Sequence, residues 1–385
     1  MALPPSLSIT SSTPGQTLVG SNSDESFVLI SSGGSGQINN FIIKGQGGND
    51  ILTLGGSPIQ TNVFGNEGDD LIGIPSDISA TIIDSKFFAG PGNDGVNLSN
   101  VVFTGTGQGT SQVGMAGGDD LVGLSGSFNN VNLFANDGDD GIIFGGNSSF
   151  VNSRAFTGDG DDSFLDGGFE VDLTNTELGF KGGRDIVGLQ NSITGSGSNG
   201  LSVFLGDGDD LFYGPRSGEM ELLAGSGDDN IYSGGSSDRL SGKAGADTFW
   251  QTQGGSASVA SGQVGGALML NFSSRPDIIT DFQTAAGDAI VFDSLGGPSS
   301  FVDNRTFATG GFGFNDRVLY SGFFNSANNS FNTTNNNAGP DVLTFLSNGN
   351  SGFTSDFGDQ AFVLLGASGQ GFDTTDFGAI NVTIP

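Results

Sequence analysis

Apolar residues recur at a fixed position after aspartate along most of this chain. In the stretch 225–250, three aspartates lie nine residues apart, and each is followed two positions later by an apolar residue: Asp229 by Ile231, Asp238 by Leu240, and Asp247 by Phe249. Glycine is frequent just before each aspartate. A short apolar segment after a glycine turn predicts a brief β-strand. Its tandem repetition predicts a solenoid of stacked coils.

The same phrase can be followed upstream, with Asp at its sixth position and an apolar residue at its eighth. These pairs are Asp50 with Leu52, Asp70 with Ile72, Asp94 with Val96, Asp120 with Val122, Asp140 with Ile142, Asp162 with Phe164, Asp185 with Val187, and Asp210 with Phe212. The fourth position is Gly in every repeat except one, where Ser236 replaces it. Glycine tolerates the positive φ of a tight turn. Such a turn exposes main-chain carbonyls, and Asp adds the hard oxygen that calcium prefers.

The upstream repeats are spaced more widely than nonapeptides in tandem. Successive aspartates from Asp50 to Asp229 lie 19 to 26 residues apart. We therefore expect each upstream coil to carry one calcium turn and one longer, calcium-free turn. The spare residues are mostly rich in Gly, Ser, Thr and Asn, and they predict a decorated second edge: residues 55–60, 75–80, 105–112, 145–149, 174–177 and 195–200.

Phenylalanine is common in the segments that flank these turns. We expect the following rings to point inward and to stack in the core, rather than to form an aromatic ligand platform: Phe64, Phe88, Phe134, Phe156, Phe180 and Phe204.

The repeat GGxGxDxUx, in which U is apolar, resembles that of the RTX (repeats-in-toxin) family. The resemblance implies a right-handed parallel β-roll in which calcium ions sit between the Asp-bearing turns of neighbouring coils. Residues 277–282 and 286–293 are similar to the D-x-I-x-D-F and G-D-x-I segment that follows the repeats in this family. Residues 318–320, 341–345, 359–365 and 376–377 are similar to its C-terminal secretion region, which implies a type I exporter as a partner.

These patterns divide the chain into four parts. Residues 1–44 are expected to form an N-terminal cap, in which Glu25 takes the Asp position of a decayed repeat. Residues 45–250 are the solenoid repeats, and the Gly/Ser/Ala-rich start of 251–276 predicts a break or linker. Residues 277–385 are expected to form a β-rich secretion and capping region.

Composition changes the picture mainly through charge. The 385 residues include 69 Gly and carry a net charge of −31, and only six of the 42 acidic residues are Glu. This charge argues against nucleic acid as a partner and against unaided binding to anionic membranes. The chain contains no Cys, so disulfides cannot stabilise it, although ions bound only by the folded form can. The N-terminus has neither the basic start nor the apolar segment of a secretory signal peptide.

Familiar catalytic chemistry is missing from the sequence. The absence of His excludes His-based triads and the H-E-x-x-H zinc site, and the absence of Cys excludes a thiol nucleophile. Hydrolysis by paired carboxylates stays open in principle. We nevertheless expect no enzyme activity, because so many of the carboxylates are tied to turns.

Two functions follow as hypotheses. The first is a secreted, calcium-stabilised structural protein of the cell surface or extracellular matrix, which self-assembles into a surface layer, sheath or filament. The alternative is an RTX-type adhesin or polysaccharide-acting enzyme on the same solenoid. In both, calcium is the ligand, and a cell-surface polysaccharide is a possible partner beside other copies of the chain. We expect the metal-free chain to stay unfolded because its carboxylates repel one another and ordering its glycines is entropically costly.

Overall fold

The structure, a computed structural model, describes residues 6–11, 14–31, 36–107, 109–196, 199–251, 259–264, 267–272, 276–292, 301–303, 314–328, 330–333, 340–348 and 361–368. The chain divides into two compact units, unit 1 up to Ser202 and unit 2 from Val203. Each unit is described by itself.

Unit 1 is built from short strands, because glycine and asparagine turns interrupt every apolar segment. Its strands in chain order are β1 (Ser6–Ser11), β2 (Thr17–Val19), β3 (Ser26–Ser31), β4 (Gln37–Asn39), β5 (Ile42–Gly47), β6 (Ile51–Gly55), β7 (Ser57–Ile59), β8 (Asn62–Glu67), β9 (Leu71–Ile74), β10 (Ala80–Ile83), β11 (Lys86–Phe88), β12 (Gly95–Thr104), β13 (Ser111–Gly114), β14 (Leu121–Asn129), β15 (Val131–Asp137), β16 (Gly141–Phe144), β17 (Ser148–Val151), β18 (Arg154–Asp159), β19 (Ser163–Leu165), β20 (Val171–Asp172), β21 (Thr176–Gly179) and β22 (Ile186–Gly188).

Every strand pair that the structure describes within unit 1 is parallel, as a solenoid requires. The strands that precede the aspartate turns form sheet B, in the order β2, β5, β8, β11, β13, β15, β18 and β21. The strands that follow the turns form sheet A, in the order β1, β3, β6, β9, β12, β14, β16, β19 and β22. Each aspartate repeat therefore contributes one coil, and the prediction of an all-β parallel solenoid is confirmed.

The upstream coils are long because their sheet A side has two strands. After a bend, β4, β7, β10, the second halves of β12 and β14, β17 and β20 continue this side in parallel register. Residues 75–80 lie at this bend, whereas residues 174–177 lie at the far edge. The expectation of a single decorated edge is therefore wrong in part, because the spare residues are divided between two places in the coil.

At the far edge of each coil, the chain turns from the sheet A side to the next sheet B strand. The turn contains a residue with left-handed backbone, with φ from 48° to 57°, in six coils: Asn40, Gln60, Asp84, Asn130, Asn152 and Asn175. The residue after each lies in a buried column that includes Thr61, Ser85, Ser111, Ser153 and Thr176. We call this the hydroxyl edge.

The prediction of inward phenylalanines is wrong for most of the rings. Phe64, Phe88, Phe134 and Phe156 are half-buried on the outside of sheet B, and Phe204 in unit 2 is 39% exposed. Neighbours in a strand face opposite ways, so only one residue of an apolar pair can enter the core. Phe180 is buried as predicted, beside a core that holds other rings: Phe87, Phe103, Phe128, Phe144, Phe150 and Phe164.

Unit 2 contains β23 (Leu201–Asp207), which begins at the unit boundary, β24 (Leu211–Tyr213), β25 (Met220–Ser226), β26 (Asn230–Tyr232), β27 (Arg239–Ala244), β28 (Thr248–Gln251), β29 (Val259–Val264), β30 (Ala267–Phe272), β31 (Asp277–Ile279), β32 (Ala289–Phe292), β33 (Phe301–Asp303), β34 (Phe314–Asn325), β35 (Ser330–Thr333), β36 (Asp341–Asn348) and β37 (Ala361–Leu364). Strands β24, β26, β28 and β32 pair in parallel, as do β25, β27, β31 and β37.

The segment after the repeats continues the coils of unit 2. Strand β31 pairs in parallel with β27, and β32 pairs in parallel with β28, so residues 277–292 add a further coil. Strands β29 and β30 form an antiparallel hairpin between β28 and β31 in the sequence. Later strands pair largely antiparallel, β30 with β35, β35 with β34, β34 with β36 and β36 with β37.

Residues 359–360 and 376–377 of the predicted secretion region lie outside the described residues. Within the part of the chain that is described, no helix is long and apolar enough to cross a membrane.

Candidate metal site at the aspartate turns

The turn before each aspartate depends on its fourth position. Here the backbone has φ from 96° to 143° in all eleven repeats, and 96° is the value at Ser236, the one residue with a side chain. A side chain on Gly68 would also collide with the carbonyl oxygen of Gly48 in the preceding coil. The glycines therefore allow successive turns to stack without a gap.

In unit 1 the aspartates stand in one column, which we call the carboxylate edge. The main-chain N–H of each donates to Oδ1 of the aspartate in the next coil. The N···O distances are 2.7 Å for Asp50 to Asp70, 2.7 Å for Asp70 to Asp94, 2.7 Å for Asp94 to Asp120, 2.9 Å for Asp120 to Asp140, 2.8 Å for Asp140 to Asp162 and 2.9 Å for Asp162 to Asp185. The sequence-predicted residues of unit 1 are thus all brought together in one ladder.

The second oxygen of these carboxylates has a different environment. It is buried and has no hydrogen-bond partner at five of these residues: Asp50, Asp70, Asp94, Asp120 and Asp140. The same is true of Oδ2 of Asp238 in unit 2. The whole residues are at most 3% exposed. A buried, ionised carboxylate oxygen without a hydrogen-bond partner strongly destabilises the folded chain. Each of these turns would therefore be stabilised by a bound cation or by a proton on the carboxylate.

In three repeats, those of Asp50, Asp70 and Asp247, a glycine five positions earlier lets this oxygen lie close against the main chain. A methyl group on Gly65 would overlap both Oδ2 of Asp70 and the carbonyl oxygen of Ala89 in the next coil. A methyl group on Gly45 would likewise overlap Oδ2 of Asp50 and approach the carbonyl oxygen of Gly65. At these two turns, Oδ2 of the aspartate and a main-chain carbonyl oxygen of the next coil therefore lie against the same glycine, and both are oxygens of the type that calcium prefers.

The aspartates of the carboxylate edge also have raised pKa values, which means that the folded chain favours their protonated, uncharged form. Burial, above all, raises the pKa of Asp50 and Asp94 to about 6. For Asp70, Asp120 and Asp140, burial and then the neighbouring carboxylates raise the pKa to about 7. Hydrogen bonds from the main chain act in the opposite direction but do not offset burial.

In unit 2 the aspartates of the tandem nonapeptides are divided between two columns. In the first column, the main-chain N–H of Asp210 donates to Oδ1 of Asp229 at 2.9 Å, and the N–H of Asp229 donates to Oδ1 of Asp247 at 3.1 Å. On the other, Met220 N–H donates to Oδ1 of Asp238 at 3.0 Å. The nine-residue spacing explains this division, because it is half a coil. Burial, followed by repulsion from Asp210 and Asp247, raises the pKa of Asp229 to about 8.

Sequence reasoning missed two members of these columns. Asp238 N–H donates to Asp277 at 2.9 Å, and Asp247 N–H donates to Asp288 at 3.2 Å, so both columns continue into the coil after the repeats. Both residues are buried. The signal was present in the sequence, because Ile279 and Ile290 follow them at the repeat's usual distance of two positions.

A further column of side chains, at the fifth position of the repeat, was also missed. In this column, the side-chain Oδ1 accepts a hydrogen bond from the main-chain N–H of the fifth-position residue in the next coil. The N···O distances are 3.0 Å for Asn49 from Asp69, 2.9 Å for Asp69 from Asn93, 3.0 Å for Asn93 from Asp119, 3.1 Å for Asp119 from Asp139 and 2.8 Å for Asp139 from Asp161. The recurring Asp-Asp and Asn-Asp doublets in the sequence would have indicated it. These side chains are exposed, so the column holds the turns in register at little electrostatic cost.

Comparison with known proteins adds no relative. No protein-family model matches the chain, and no curated protein matches it at a significant level. Among the described residues, no three or more carboxylate, imidazole or thiol side chains gather into a group that could hold a metal ion. The potential ligands at one turn are therefore single carboxylates together with main-chain carbonyls.

Proposed function

We propose that this chain is a secreted calcium-binding structural protein of the cell surface or extracellular matrix. The observation that supports the proposal is the column of buried Oδ2 atoms without hydrogen-bond partners. Calcium between successive turns would take these oxygens together with adjacent carbonyl oxygens as ligands, as it does in the RTX repeats that the sequence resembles. The oxygen chemistry of the turns fits this ion.

The negative charge of the chain explains why its folding would depend on calcium binding. About ten divalent ions would offset roughly 20 of the 31 net negative charges. Without them, each coil that stacks adds another buried carboxylate beside the previous one. An extracellular module commonly binds calcium at about 10⁻⁴ to 10⁻³ M, far above cytosolic levels. The chain would therefore stay unfolded and exportable inside a cell, by a type I exporter, and would fold outside.

The direct test is the number of ions bound. Equilibrium dialysis against millimolar calcium, followed by elemental analysis, should give about ten calcium ions per chain. The variant Asp140→Asn should bind fewer ions, whereas Asp119→Asn, one residue away from Asp120 on the exposed column, should bind as many as the wild type. Binding of no calcium by the folded wild type would refute the proposal.

Self-assembly into a layer, sheath or filament is the second part of this proposal. Most of the repeat region serves the solenoid itself, and parallel coils leave sheet faces on which further copies can pack. In 5 mM calcium, we expect sedimentation velocity to show species larger than the monomer as the protein concentration rises. Monomers at every concentration would contradict assembly without affecting the calcium proposal.

One feature favours a second candidate function, an adhesin that binds a cell-surface polysaccharide. A polar groove at the far edge of unit 1 is lined by Asn152, Arg154, Asn175 and Glu177 among others. Amide and guanidinium groups are suitable hydrogen-bonding partners for sugar hydroxyls. Glu177 is the one carboxylate among the lining residues and is paired with Arg154 at 3.1 Å, so the groove lacks the carboxylate pair of a glycosidase. Retention on polysaccharide columns, lost in Asn152→Ala/Asn175→Ala, would support the adhesin.

A further inference from the structure

The outer face of sheet A in unit 1 differs from the remainder of this acidic chain. It consists of the outward positions of the strands that follow the carboxylate edge, and we call it the neutral face. Its first column is Ser26, Ile51, Leu71, Gly95, Leu121, Gly141, Ser163 and Ile186, and its second column is Val28, Thr53, Gly73, Asn97, Gly123, Ile143, Leu165 and Gly188. None of these residues is charged, although the chain carries a net charge of −31.

Large apolar side chains on this face are exposed. Leu121 is 57% exposed and Leu71 is 48% exposed, and Ile143, Ile186 and Ile51 are each at least 36% exposed. They occur on five of the eight coils, as two pairs on adjacent coils, Ile51 with Leu71 and Leu121 with Ile143, and as Ile186. Clusters of exposed apolar residues of this kind mark interaction sites.

The neutral face is also flat. Leu71 lies over Gly95, where an added Cβ would be 2.9 Å from its Cδ1, and Leu121 lies over Gly141 with a corresponding distance of 3.0 Å. Leu165 lies over Gly188 in the same way. Because each leucine fills the space left by the glycine of the next coil, the side chains lie along the sheet instead of projecting from it. Flat sheet faces pack closely against one another.

The outer face of sheet B in the same unit shows the contrast. Its outward positions include Lys44, Lys86, Arg154 and Glu177. Charged side chains and an ion pair thus lie on the sheet B face, while the two columns of the neutral face have neither. The two faces of one solenoid therefore differ in the partners they can accept.

The size of the neutral face suits a weak contact. Its eight coils at about 4.8 Å span roughly 34 Å, and its two columns cover about 13 Å of each strand. Their product is about 440 Å² for each partner, roughly half of the ~800 Å² per partner of a standard protein interface and within the range of weak contacts. We therefore expect a dimer that forms as the protein concentration rises.

We infer that the neutral face is the contact surface between two copies of this chain. Charge selects this occupant: two chains that each carry −31, or about −11 with ten calcium ions bound, repel one another over most of their surface, and this face brings no like charges together. The columns are self-complementary, so a two-fold arrangement can place the leucine coils of one copy against the glycine coils of the other. This inference deepens the self-assembly part of the proposed function and rests on it.

The test places one charge on either face of the same coil. Leu121 lies near the middle of the neutral face, and Asn132 lies on the outside of sheet B, beside Arg154. In 5 mM calcium, sedimentation velocity should show that Leu121→Asp raises the dimer dissociation constant by a factor on the order of 100 or more. The matched variant Asn132→Asp should leave it unchanged within a factor of about 3. Both variants should show the far-UV circular dichroism of the wild type.

A second measurement remains decisive if Leu121→Asp does not fold. The chain has no cysteine, so Leu121→Cys and Asn132→Cys each carry a single thiol. Maleimide labelling of Leu121→Cys should slow at least about tenfold between dilute and concentrated protein, whereas labelling of Asn132→Cys should not change. Equal labelling rates at both concentrations for Leu121→Cys would overturn the inference.

The outcomes separate this inference from the proposed function. If the wild type and Leu121→Asp assemble equally, assembly stands but its surface is another one, and the inference is overturned. If the wild type is monomeric at every concentration, the inference and the self-assembly proposal are both overturned, while calcium binding is unaffected.

Discussion

The two edges of the unit 1 solenoid form the same kind of bond between coils with different side chains. At the hydroxyl edge, Thr61 N–H donates to Oγ of Ser85 at 3.1 Å, and Val131 N–H donates to Oγ of Ser153 at 3.1 Å. At the carboxylate edge, Asp50 N–H donates to Oδ1 of Asp70 at 2.7 Å. In each case, a buried side-chain oxygen accepts the N–H of the preceding coil.

The difference lies in what remains after that bond. The Ser85 hydroxyl donates its own hydrogen to the Ile83 carbonyl at 2.9 Å, and Ser153 donates to Val151 at 2.8 Å, so these groups are satisfied. Asp70 keeps a second, charged oxygen that is buried and has no hydrogen-bond partner. A hydroxyl would thus be enough to hold the coils together. The repeated use of Asp at one edge of unit 1 indicates a function beyond stacking, and we propose that this function is the binding of a cation.

Removing calcium should have the largest effect. At pH 7.5, excess chelator should abolish the β signal in far-UV circular dichroism, because every coil of the carboxylate edge would then bury an uncompensated charge. Calcium should restore the signal, and an equal concentration of sodium chloride should not. A chelated chain with an unchanged spectrum would show that the carboxylate edge needs an ion no more than the hydroxyl edge does.

The pH dependence of the metal-free chain should be the next largest effect. The pKa values of Asp70, Asp120 and Asp140 are raised to about 7 in the folded chain from an ordinary value of 3.8, so the folded chain binds more protons than the unfolded chain between these limits. Stability therefore falls as pH rises from about 4 to 8. In chelator, circular dichroism should show more β structure at pH 5 than at pH 8.

With calcium present, the trend should reverse, because protons compete with the ion for the same oxygens. If the metal-free chain instead became more stable from pH 5 to pH 8, the raised pKa values and the account of the carboxylate edge would both be wrong.

Ser153→Ala should have a moderate effect that does not depend on calcium. It leaves the Val131 N–H and the Val151 carbonyl without their partner inside the coil. Urea unfolding in calcium should show a loss of about 1–3 kcal/mol. The calcium affinity of the folded chain should be unchanged, and a weakened affinity would mean that the two edges are coupled.

Asp119→Asn should have the smallest effect. The amide oxygen can still accept the Asp139 N–H, and the side chain is exposed. Urea unfolding in calcium should shift by no more than about 0.5 kcal/mol. A larger loss would indicate that the fifth position of the repeat also contributes to ion binding.

Much of the fold could be predicted from spacing. The phrase of aspartate followed by an apolar residue, at the wide upstream spacing, predicts one coil per repeat because the turn and the inward side chain recur together, while the nine-residue spacing of the tandem repeats corresponds to half a coil. The bend on the sheet A side could not be predicted, since residues 75–80, like residues at a true edge, are mostly small or polar. The direction of the Phe64 and Phe88 rings was missed because both members of an apolar pair appear suited to the core, and strand alternation alone decides between them.

The candidate site could be predicted in part. The aspartates were identified from their position after glycine, but the two ends of each column were harder to find. Asp277 and Asp288 take their places without the glycine-rich turn that precedes the other members. Which of the two carboxylate oxygens holds the coils together, and which remains available to an ion, depends on side-chain geometry that a sequence does not contain.

The most direct test of the central claim is the effect of Asp140→Asn with calcium and without it. The amide keeps the oxygen that accepts the Asp120 N–H and removes the negative charge. In calcium at 100 times its dissociation constant, urea unfolding should show a loss of about 2.7 kcal/mol, the linkage energy of one ion. In chelator at pH 7.5, the variant should fold at a lower concentration of trimethylamine N-oxide than the wild type, because a buried charge is gone. A loss of stability under both conditions would contradict the account, since Asp140 would then serve the fold and not the ion.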